Sequence, residues 1–172
     1  MARNIILVGP MGAGKTTIGK QLAHQLGREF YDSDRVIEEH TGADIPLIFE
    51  LEGEAGFRKR EKNILADLVK KNDIVLATGG GVVLDPDNRE LLSKSGFVVY
   101  LNVPLSQLIN RTSKDKNRPL LQTEDPKKKL EEILSVRDPL YRDVADEIIK
   151  TDVSPVRNVV KKIMALVKKH NL

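Results

Sequence analysis

Residues 9–16 carry the strongest chemical signal in this chain. They read GPMGAGKT and match the pattern G-x-x-x-x-G-K-S/T at every specified position. Glycines in this pattern let backbone N–H groups converge on phosphate oxygens, and the helix that follows presents its positive end to them. We expect Lys15 to neutralise the β- and γ-phosphates and Thr16 to hold Mg²⁺. The stretch therefore predicts a binding site for a nucleoside triphosphate.

Two aspartates flank a serine at residues 32–34, directly after a short apolar run. The functional interpretation gives Asp32 to the Mg²⁺ shell and Asp34 to an acceptor hydroxyl, which it would orient or deprotonate. The structural alternative makes Asp34 a cap of the helix that begins near Arg35, and leaves Asp32 simply solvated. Both interpretations of this pair are open at the level of the sequence.

Arg58 and Arg137 each fall on the apolar side of a predicted helix. Arg58 lies two turns before Leu65, and Arg137 shares its face with Leu130. Plain alternatives are a surface salt bridge from Glu54 to Arg58 and a helix C-terminal position for Arg137. An inward guanidinium needs an anionic partner, and two of them suit a carboxylate or phosphate bound bidentately.

Residues 79–81 are three consecutive glycines that follow another apolar run. A plain turn needs only one glycine, and each further one costs backbone entropy. We therefore expect a ligand to approach the backbone closely at this point of the chain.

A polar stretch over residues 113–125 lacks periodicity and is long for a connection within one domain. It contains Lys114, Lys116 and Arg118, whose plain interpretation is solvated charge. The functional alternative is a lid that closes over the nucleotide, with Arg118 stabilising the phosphoryl group in transfer.

Apolar runs of strand length alternate with segments of helical period along the chain. Strands are predicted at residues 4–8, 29–31, 74–77, 97–101 and 148–149. Helices are predicted over residues 18–26, 35–40, from 44, over 55–70, 86–95, 104–112, 126–137 and from 154. This alternation predicts an α/β fold with a parallel sheet and helices on both faces. Because such sheets bind ligands at the carboxyl ends of their strands, the three glycine- and aspartate-bearing segments should converge on one site.

Composition restricts the classes of partner. The 172 residues, 40% apolar and 31% charged, fit one globular domain. No apolar run is long enough for a membrane span or a signal peptide, so we expect a cytoplasmic protein without a membrane partner. The lack of cysteine removes disulfide and thiolate chemistry, and the three histidines lack metal-motif spacing. A net charge of +3, spread along a chain with 4% aromatics, argues against nucleic acid as a partner.

Other classes of nucleotide-binding protein fit the sequence poorly. A guanine-nucleotide switch carries N-K-x-D and D-x-x-G motifs, and neither occurs in this chain. A nucleic-acid motor is disfavoured by the small size and by the charge balance. A phosphotransferase that acts on a small molecule remains.

Six motifs, in order and at family spacing, resemble those of bacterial shikimate kinases across the whole chain. They are GPMGAGKT at 9–16, FYDSD at 30–34, GFRKRE at 56–61, TGGG at 78–81, RPLL at 118–121 and RDPLY at 137–141. The resemblance implies ATP-dependent phosphorylation of the 3-hydroxyl of shikimate, a step toward chorismate and the aromatic amino acids. It also implies a three-layer P-loop kinase fold of the nucleoside monophosphate kinase type, with five parallel strands in the order 2-3-1-4-5.

The motif positions, together with the interpretations above, assign the expected site residues. Substrate contacts fall on Asp34, Arg58, Gly79, Gly80, Gly81 and Arg137. ATP contacts fall on Gly12, Ala13, Gly14, Lys15, Thr16, Thr17 and Arg118. Lys15, Asp34 and Arg118 are expected to be catalytic residues. Thr16 and Asp32 are expected to bind one Mg²⁺ ion. Within a single domain over 1–172, residues 32–61 should bind shikimate and residues 112–125 should form a mobile lid.

We therefore expect a monomeric kinase that acts on ATP and shikimate, and two alternatives remain open. One is another P-loop kinase of a small hydroxy acid, similar to gluconate kinases. The other is a binding protein that is gated by a nucleotide and does not turn over.

Overall fold

The computed structural model describes residues 3–113, 123–152 and 154–172. The strands are β1 (Asn4–Val8), β2 (Glu29–Asp32), β3 (Ile74–Ala77), β4 (Gly96–Asn102) and β5 (Glu147–Lys150). The helices are α1 (Lys15–Leu26), α2 (Ser33–Thr41), α3 (Ile45–Leu68), α4 (Pro86–Ser95), α5 (Leu105–Thr112), α6 (Pro126–Val144) and α7 (Val156–His170). A 3₁₀ turn, which the sequence did not predict, spans Val82–Leu84.

All five strands form one parallel sheet in the order β2-β3-β1-β4-β5. Ile6 of β1 is paired with Leu76 of β3 on one side and with Val98 of β4 on the other. The central strands are buried on both faces, which explains their continuous apolar runs. The expected fold class and strand order are confirmed.

The core has two layers because successive strand residues point to opposite faces of the sheet. Ile5 and Leu7 pack with residues of α1 and α7 on one face. Ile6 and Val8 pack with residues of α3, α4 and α6 on the other face. Helices therefore cover both faces, as the alternation of strands and helices predicted.

The helix α3 is interrupted at Gly53, where the sequence predicted the junction of two helices. Gly53 has φ 72° and ψ 178°, a conformation that side chains disfavour. The first part begins at Asp44, whose side chain accepts a hydrogen bond from the backbone N–H of Leu47. The chain bends at this glycine before the helical stretch that carries Arg58.

The helix α6 is longer than predicted. It continues through Pro139 to Val144, whereas the sequence predicted an end at Arg137. Proline removes one helical hydrogen bond, but Tyr141 and Val144 beyond it are buried in the core. Arg137 thus lies about two turns before the helix end, and its interpretation as a C-terminal dipole partner is wrong.

Across the described residues, none of the helices has both the length and the apolar character that crossing a membrane requires.

Candidate active site

The phosphate loop connects β1 to α1 at the carboxyl edge of the sheet. Gly12 and Gly14 have φ values of 81° and 92°, which only glycine adopts without strain. The N-cap of α1 is Gly14, which has no side chain to accept from the first N–H groups of the helix, and an anion could bind them instead. The Lys15 ammonium donates to the carbonyl oxygens of Gly9 at 2.7 Å and Pro10 at 2.8 Å. Lys15 is 9% exposed and is held against its own loop.

Thr16 and Asp32 form a pair of oxygen donors beside this loop. The Thr16 hydroxyl donates to Asp32 Oδ2 at 2.5 Å. The other oxygen, Oδ1, accepts from the backbone N–H groups of Asp34 and Arg35 at 3.0 and 3.3 Å. Asp32 is therefore the cap of α2, so the capping interpretation of Asp34 and the solvated one of Asp32 are both wrong. Hydroxyl and carboxylate oxygens are ligands that Mg²⁺ prefers, and this pair fits one ion.

Ser33 and Asp34 bring the start of α2 onto the glycine triplet, residues 79–81. The buried Ser33 hydroxyl oxygen accepts a hydrogen bond from the Gly79 N–H at 3.1 Å. A Cβ atom at Gly79 would lie 2.5 Å from Asp34 Oδ1. The Asp34 carboxylate thus lies directly over the first glycine of the triplet.

The other two glycines make room for the two inward arginines. A Cβ at Gly80 would lie 3.2 Å from the backbone nitrogen of Met11 and 3.6 Å from Arg137 Nη1. A Cβ at Gly81 would overlap the guanidinium of Arg58. Side chains crowd the first and third glycines, whereas the backbone of the phosphate loop crowds the middle one. The approach of a ligand to it stays a prediction.

Arg58 is held by two carboxylates of its own helix. Its Nη1 donates to Glu61 Oε1 at 3.0 Å, and its Nη2 donates to Glu54 Oε1 at 3.3 Å. Glu61 is 1% exposed, and burial raises its pKa while the charge of Arg58 opposes that shift. The salt bridge from Glu54 to Arg58 is present, as the structural alternative predicted. The inward pair with Glu61 comes in addition.

Glu61 is a residue of this site that the sequence interpretation missed. It lies three positions after Arg58 and four before Leu65, on the apolar stripe of α3. An acidic residue on that stripe was a signal comparable to the one that singled out Arg58. A Cβ at Gly79 would also lie 2.9 Å from Glu61 Oε2, so this carboxylate reaches the glycine triplet.

Arg137 is 5% exposed, and burial lowers the pKa of its guanidinium. Among the described residues, no carboxylate forms a salt bridge with it. Tyr141 lies one turn further along α6, and its interaction with Arg137 opposes this lowering of the pKa. Two arginines of different helices therefore lie on adjacent glycines.

Arg111 of α5 is a second residue that the sequence interpretation missed. Its Nη1 donates to the Gly12 carbonyl at 3.0 Å, and the neighbouring Thr112 methyl group packs on the same glycine. No local pattern pointed to Arg111, because its contact with the loop spans 99 residues of sequence. It adds positive charge to the nucleotide end of the cleft.

The phosphate loop, the Thr16–Asp32 pair and Asp34 border a cleft of about 330 Å³ at the carboxyl edge of the sheet. Its walls include Gly12, Gly14, Lys15, Thr16, Thr17, Asp32, Asp34, Arg35, Glu38, Ile45, Thr78, Gly79 and Gly80. Arg58, Glu61 and Gly81 line a separate cavity of about 370 Å³. The three predicted segments converge on one site. Ala13, also predicted, is buried in the loop, where its N–H donates to the Pro10 carbonyl at 3.2 Å.

Some of the predicted residues lie outside the described part of the chain. Arg118, Lys114 and Lys116 are among them, together with most of the predicted lid over residues 112–125. The role of Arg118 stays a prediction.

The sheet order, the phosphate loop and the hydroxyl–carboxylate pair beside it together define a P-loop phosphotransferase. Residues 11–168 match the family model described as "Shikimate kinase". A shikimate kinase of Nitrosococcus oceani is 60% identical over 161 residues, which cover 94% of this chain and 85% of that protein. One of Methylococcus capsulatus is 56% identical over 162 residues, 94% of this chain and 90% of that protein.

A solved structure agrees with these sequence relatives. Shikimate kinase from Acinetobacter baumannii in complex with shikimate superposes with a TM-score of 0.97 at 53% identity. The superposition covers 100% of this chain and 96% of that one. The chain belongs to the shikimate kinase family, so the resemblance of the six motifs is confirmed. It is an enzyme, a kinase of the shikimate pathway.

Proposed function

We propose that this enzyme transfers the γ-phosphoryl group of ATP to the 3-hydroxyl of shikimate, giving shikimate 3-phosphate and ADP. The observation that carries the proposal is the glycine triplet. Two carboxylates and two guanidiniums lie on its three successive residues, a few ångströms from the phosphate loop, and of the carboxylates Asp34 is the one on the wall of the cleft. A hydroxy acid offers the complementary groups, a hydroxyl for the carboxylate and a carboxylate for the guanidiniums.

At the nucleotide end, the loop N–H groups and Lys15 bind the phosphates. The ammonium now donates to two loop carbonyls, Gly9 and Pro10, so it already lies at the entrance of the loop. Phosphate oxygens give this cation an anionic partner, which is a stronger one than a neutral carbonyl. Arg111 contributes further positive charge from the other side of Gly12.

The Thr16 hydroxyl and Asp32 Oδ2, hydrogen-bonded at 2.5 Å, would hold one Mg²⁺ ion. Such an ion would offset the negative charge of the β- and γ-phosphates. Asp32 would keep its second oxygen on the N–H groups of α2, so the position of the metal ligand is tied to the helix that carries Asp34.

Asp34 acts on the acceptor. It lies in the first turn of α2, with its carboxylate over Gly79 and on the wall of the cleft. In this position it accepts a hydrogen bond from the 3-hydroxyl, directs an oxygen lone pair at the γ-phosphorus and takes the proton as the new bond forms. Close approach of the reacting atoms supplies much of the rate enhancement.

Arg58 and Arg137 bind the carboxylate of shikimate. Arg137 is buried, and among the described residues it has no ion pair that would neutralise it. An unpaired buried charge is costly, and a bound carboxylate would remove that cost. Arg58 shares its charge with Glu54 and Glu61, which hold its guanidinium on Gly81.

Three further expectations about the lid, the binding segment and the state of the enzyme in the cell belong to the proposal. Residues 32–61 act as the shikimate-binding segment and residues 112–125 as a lid from which Arg118 reaches the phosphoryl group. We expect Arg118→Ala to depress kcat without a change in shikimate affinity. The enzyme works as a monomer in the cytoplasm.

Coupled release of ADP, measured with a panel of hydroxy acids, tests the proposed function. With ATP and Mg²⁺ present, shikimate should give saturable turnover and gluconate should not. Lys15→Met serves as the inactive control. Turnover only with gluconate would favour the related sugar-acid kinases, and nucleotide binding without turnover on any acceptor would favour a gated binding protein.

A further inference from the structure

The hydroxyl of Tyr141 connects two parts of the acceptor site. Tyr141 is fully buried in α6, and its Oη donates a hydrogen bond to the Gly80 carbonyl at 2.5 Å. The two residues are 61 positions apart in sequence. The middle glycine of the triplet is thus held from behind by a side chain that lies outside the walls of the cleft.

Arg137 lies one helical turn before Tyr141. Its positive charge opposes the effect of burial on the pKa of the Tyr141 hydroxyl, so the two groups lie close together. Arg137 Nη1 lies 3.6 Å from the Cβ position of Gly80. The Tyr141 side chain therefore holds the Gly80 carbonyl directly and lies beside the guanidinium that packs on the same glycine.

Burial keeps this hydroxyl protonated. It raises the pKa of Tyr141 to about 12, against the opposing charge of Arg137. The donor to Gly80 is consequently present at neutral pH and well above it.

Tyr100 provides an internal comparison. It packs on Tyr141 with ring centroids 5.0 Å apart, is 1% exposed and belongs to the same apolar cluster. Its hydroxyl donates to Asp138 Oδ1 at 2.6 Å and contacts neither the triplet nor Arg137. The two tyrosines share a structural role in the core, and only Tyr141 reaches the acceptor site.

We propose that Tyr141 is a positioning residue of the acceptor site, which holds Gly80 and Arg137 in a fixed relation so that both can meet the carboxylate end of the substrate. This inference rests on the proposed function for the identity of that substrate. Tyr141 does not touch the reacting atoms, so its effect should fall on substrate affinity and not on the chemical step.

The test compares Tyr141→Phe with the matched control Tyr100→Phe. Each change removes one buried hydroxyl and keeps the ring, so both should lower the melting temperature. Tyr141→Phe should weaken shikimate binding by about tenfold, as expected when a buried carbonyl loses its donor beside the guanidinium that binds the substrate. Its kcat and its KM for ATP should stay within about twofold of the wild type. Tyr100→Phe should leave the affinity for shikimate unchanged.

Three results would overturn the inference. They are wild-type affinity in Tyr141→Phe, an equal loss of affinity in both variants, and full additivity of Tyr141→Phe with Arg137→Gln. We expect the last pair to be less than additive, because Tyr141 acts in part through Arg137. Failure of the proposed function looks different, since the wild type itself would then not bind shikimate in the calorimeter.

Discussion

The two ends of the cleft are built in different ways. The nucleotide end is built mainly from eight contiguous residues, 9–16, to which Asp32 and Arg111 are attached by hydrogen bonds. The acceptor end consists of side chains from three helices, which meet on the glycine triplet 79–81. Local sequence determines the first end, whereas the second exists only after the sheet and its helices have assembled. Substitutions at the two ends should therefore affect different ligands.

Lys15→Met should have the largest effect. We expect a loss of turnover of at least about 10²–10³-fold, because a positive charge that meets the transferring phosphoryl group is removed. The fold should persist, although two hydrogen bonds to loop carbonyls are lost. Circular dichroism measured beside turnover checks both points. Near-normal turnover of the folded variant would exclude this loop as the phosphate site.

Arg58→Gln should come next, with shikimate binding weakened by about 2–5 kcal/mol, as when one partner of a buried charge pair is lost. Arg60→Gln is the matched control. Arg60 lies two positions away in the sequence, and its salt-bridge partner is the exposed Glu52 and not a residue at the triplet. Calorimetry should find its affinity for shikimate unaltered. Equal losses in the two variants would mean that total charge, and not the position of Arg58, binds the substrate.

Asp34→Asn should lower kcat by about 10²-fold or more and leave the KM for ATP unaltered, because the carboxylate acts on the acceptor. Asp85→Asn is its control. Asp85 caps α4 through the N–H of Asp87 at 2.8 Å, so this change should cost at most a few tenths of a kcal/mol of stability. Steady-state kinetics and thermal melting separate the two. A normal kcat in Asp34→Asn would show that Asp34 is not the base that acts on the acceptor hydroxyl.

The buried carboxylate of Glu61 should give the smallest effect, one on stability. Burial raises its pKa above 4.5, the ordinary value of a glutamate, so the folded state retains a proton that the unfolded chain releases. The contribution of Glu61 to stability is thus fully present below that value and declines as pH rises through the folded-state pKa.

Urea unfolding of the wild type and of Glu61→Gln, from about pH 5 to about pH 8, measures this effect. The stability of the wild type relative to the variant should fall with pH, by at most about 1.4 kcal/mol per pH unit for one proton. A relative stability that rises with pH would mean that the ion pair with Arg58 outweighs burial.

The same division explains what could be predicted from the sequence. The phosphate loop, the parallel sheet and the convergence of three segments followed from contiguous motifs and alternating periodicity. The strand order came from the family resemblance, since periodicity does not specify which strands are neighbours. The structure shows the contact of Asp32 with Thr16, and the role of Asp32 in a metal shell stays a prediction. The end of α6 was wrong, because the burial of Tyr141 outweighs the hydrogen bond that Pro139 removes.

Residues that act through distant contacts escaped prediction. The hydrogen bond from Tyr141 to Gly80 spans 61 positions and the one from Arg111 to Gly12 spans 99. No spacing rule links such pairs before the fold is known. Glu61 is different, because its place on the apolar stripe beside Arg58 was visible in the sequence.

A crossed titration tests most directly whether the cleft is divided between two ligands. Shikimate and ADP with Mg²⁺ are titrated separately into Lys15→Met and Arg58→Gln, with the wild type as reference. Lys15→Met should lose nucleotide affinity and bind shikimate as the wild type does. Arg58→Gln should show the reverse. If each variant lost affinity for both ligands to the same extent, the two ends would not be separate binding sites, and the division proposed for this cleft would be wrong.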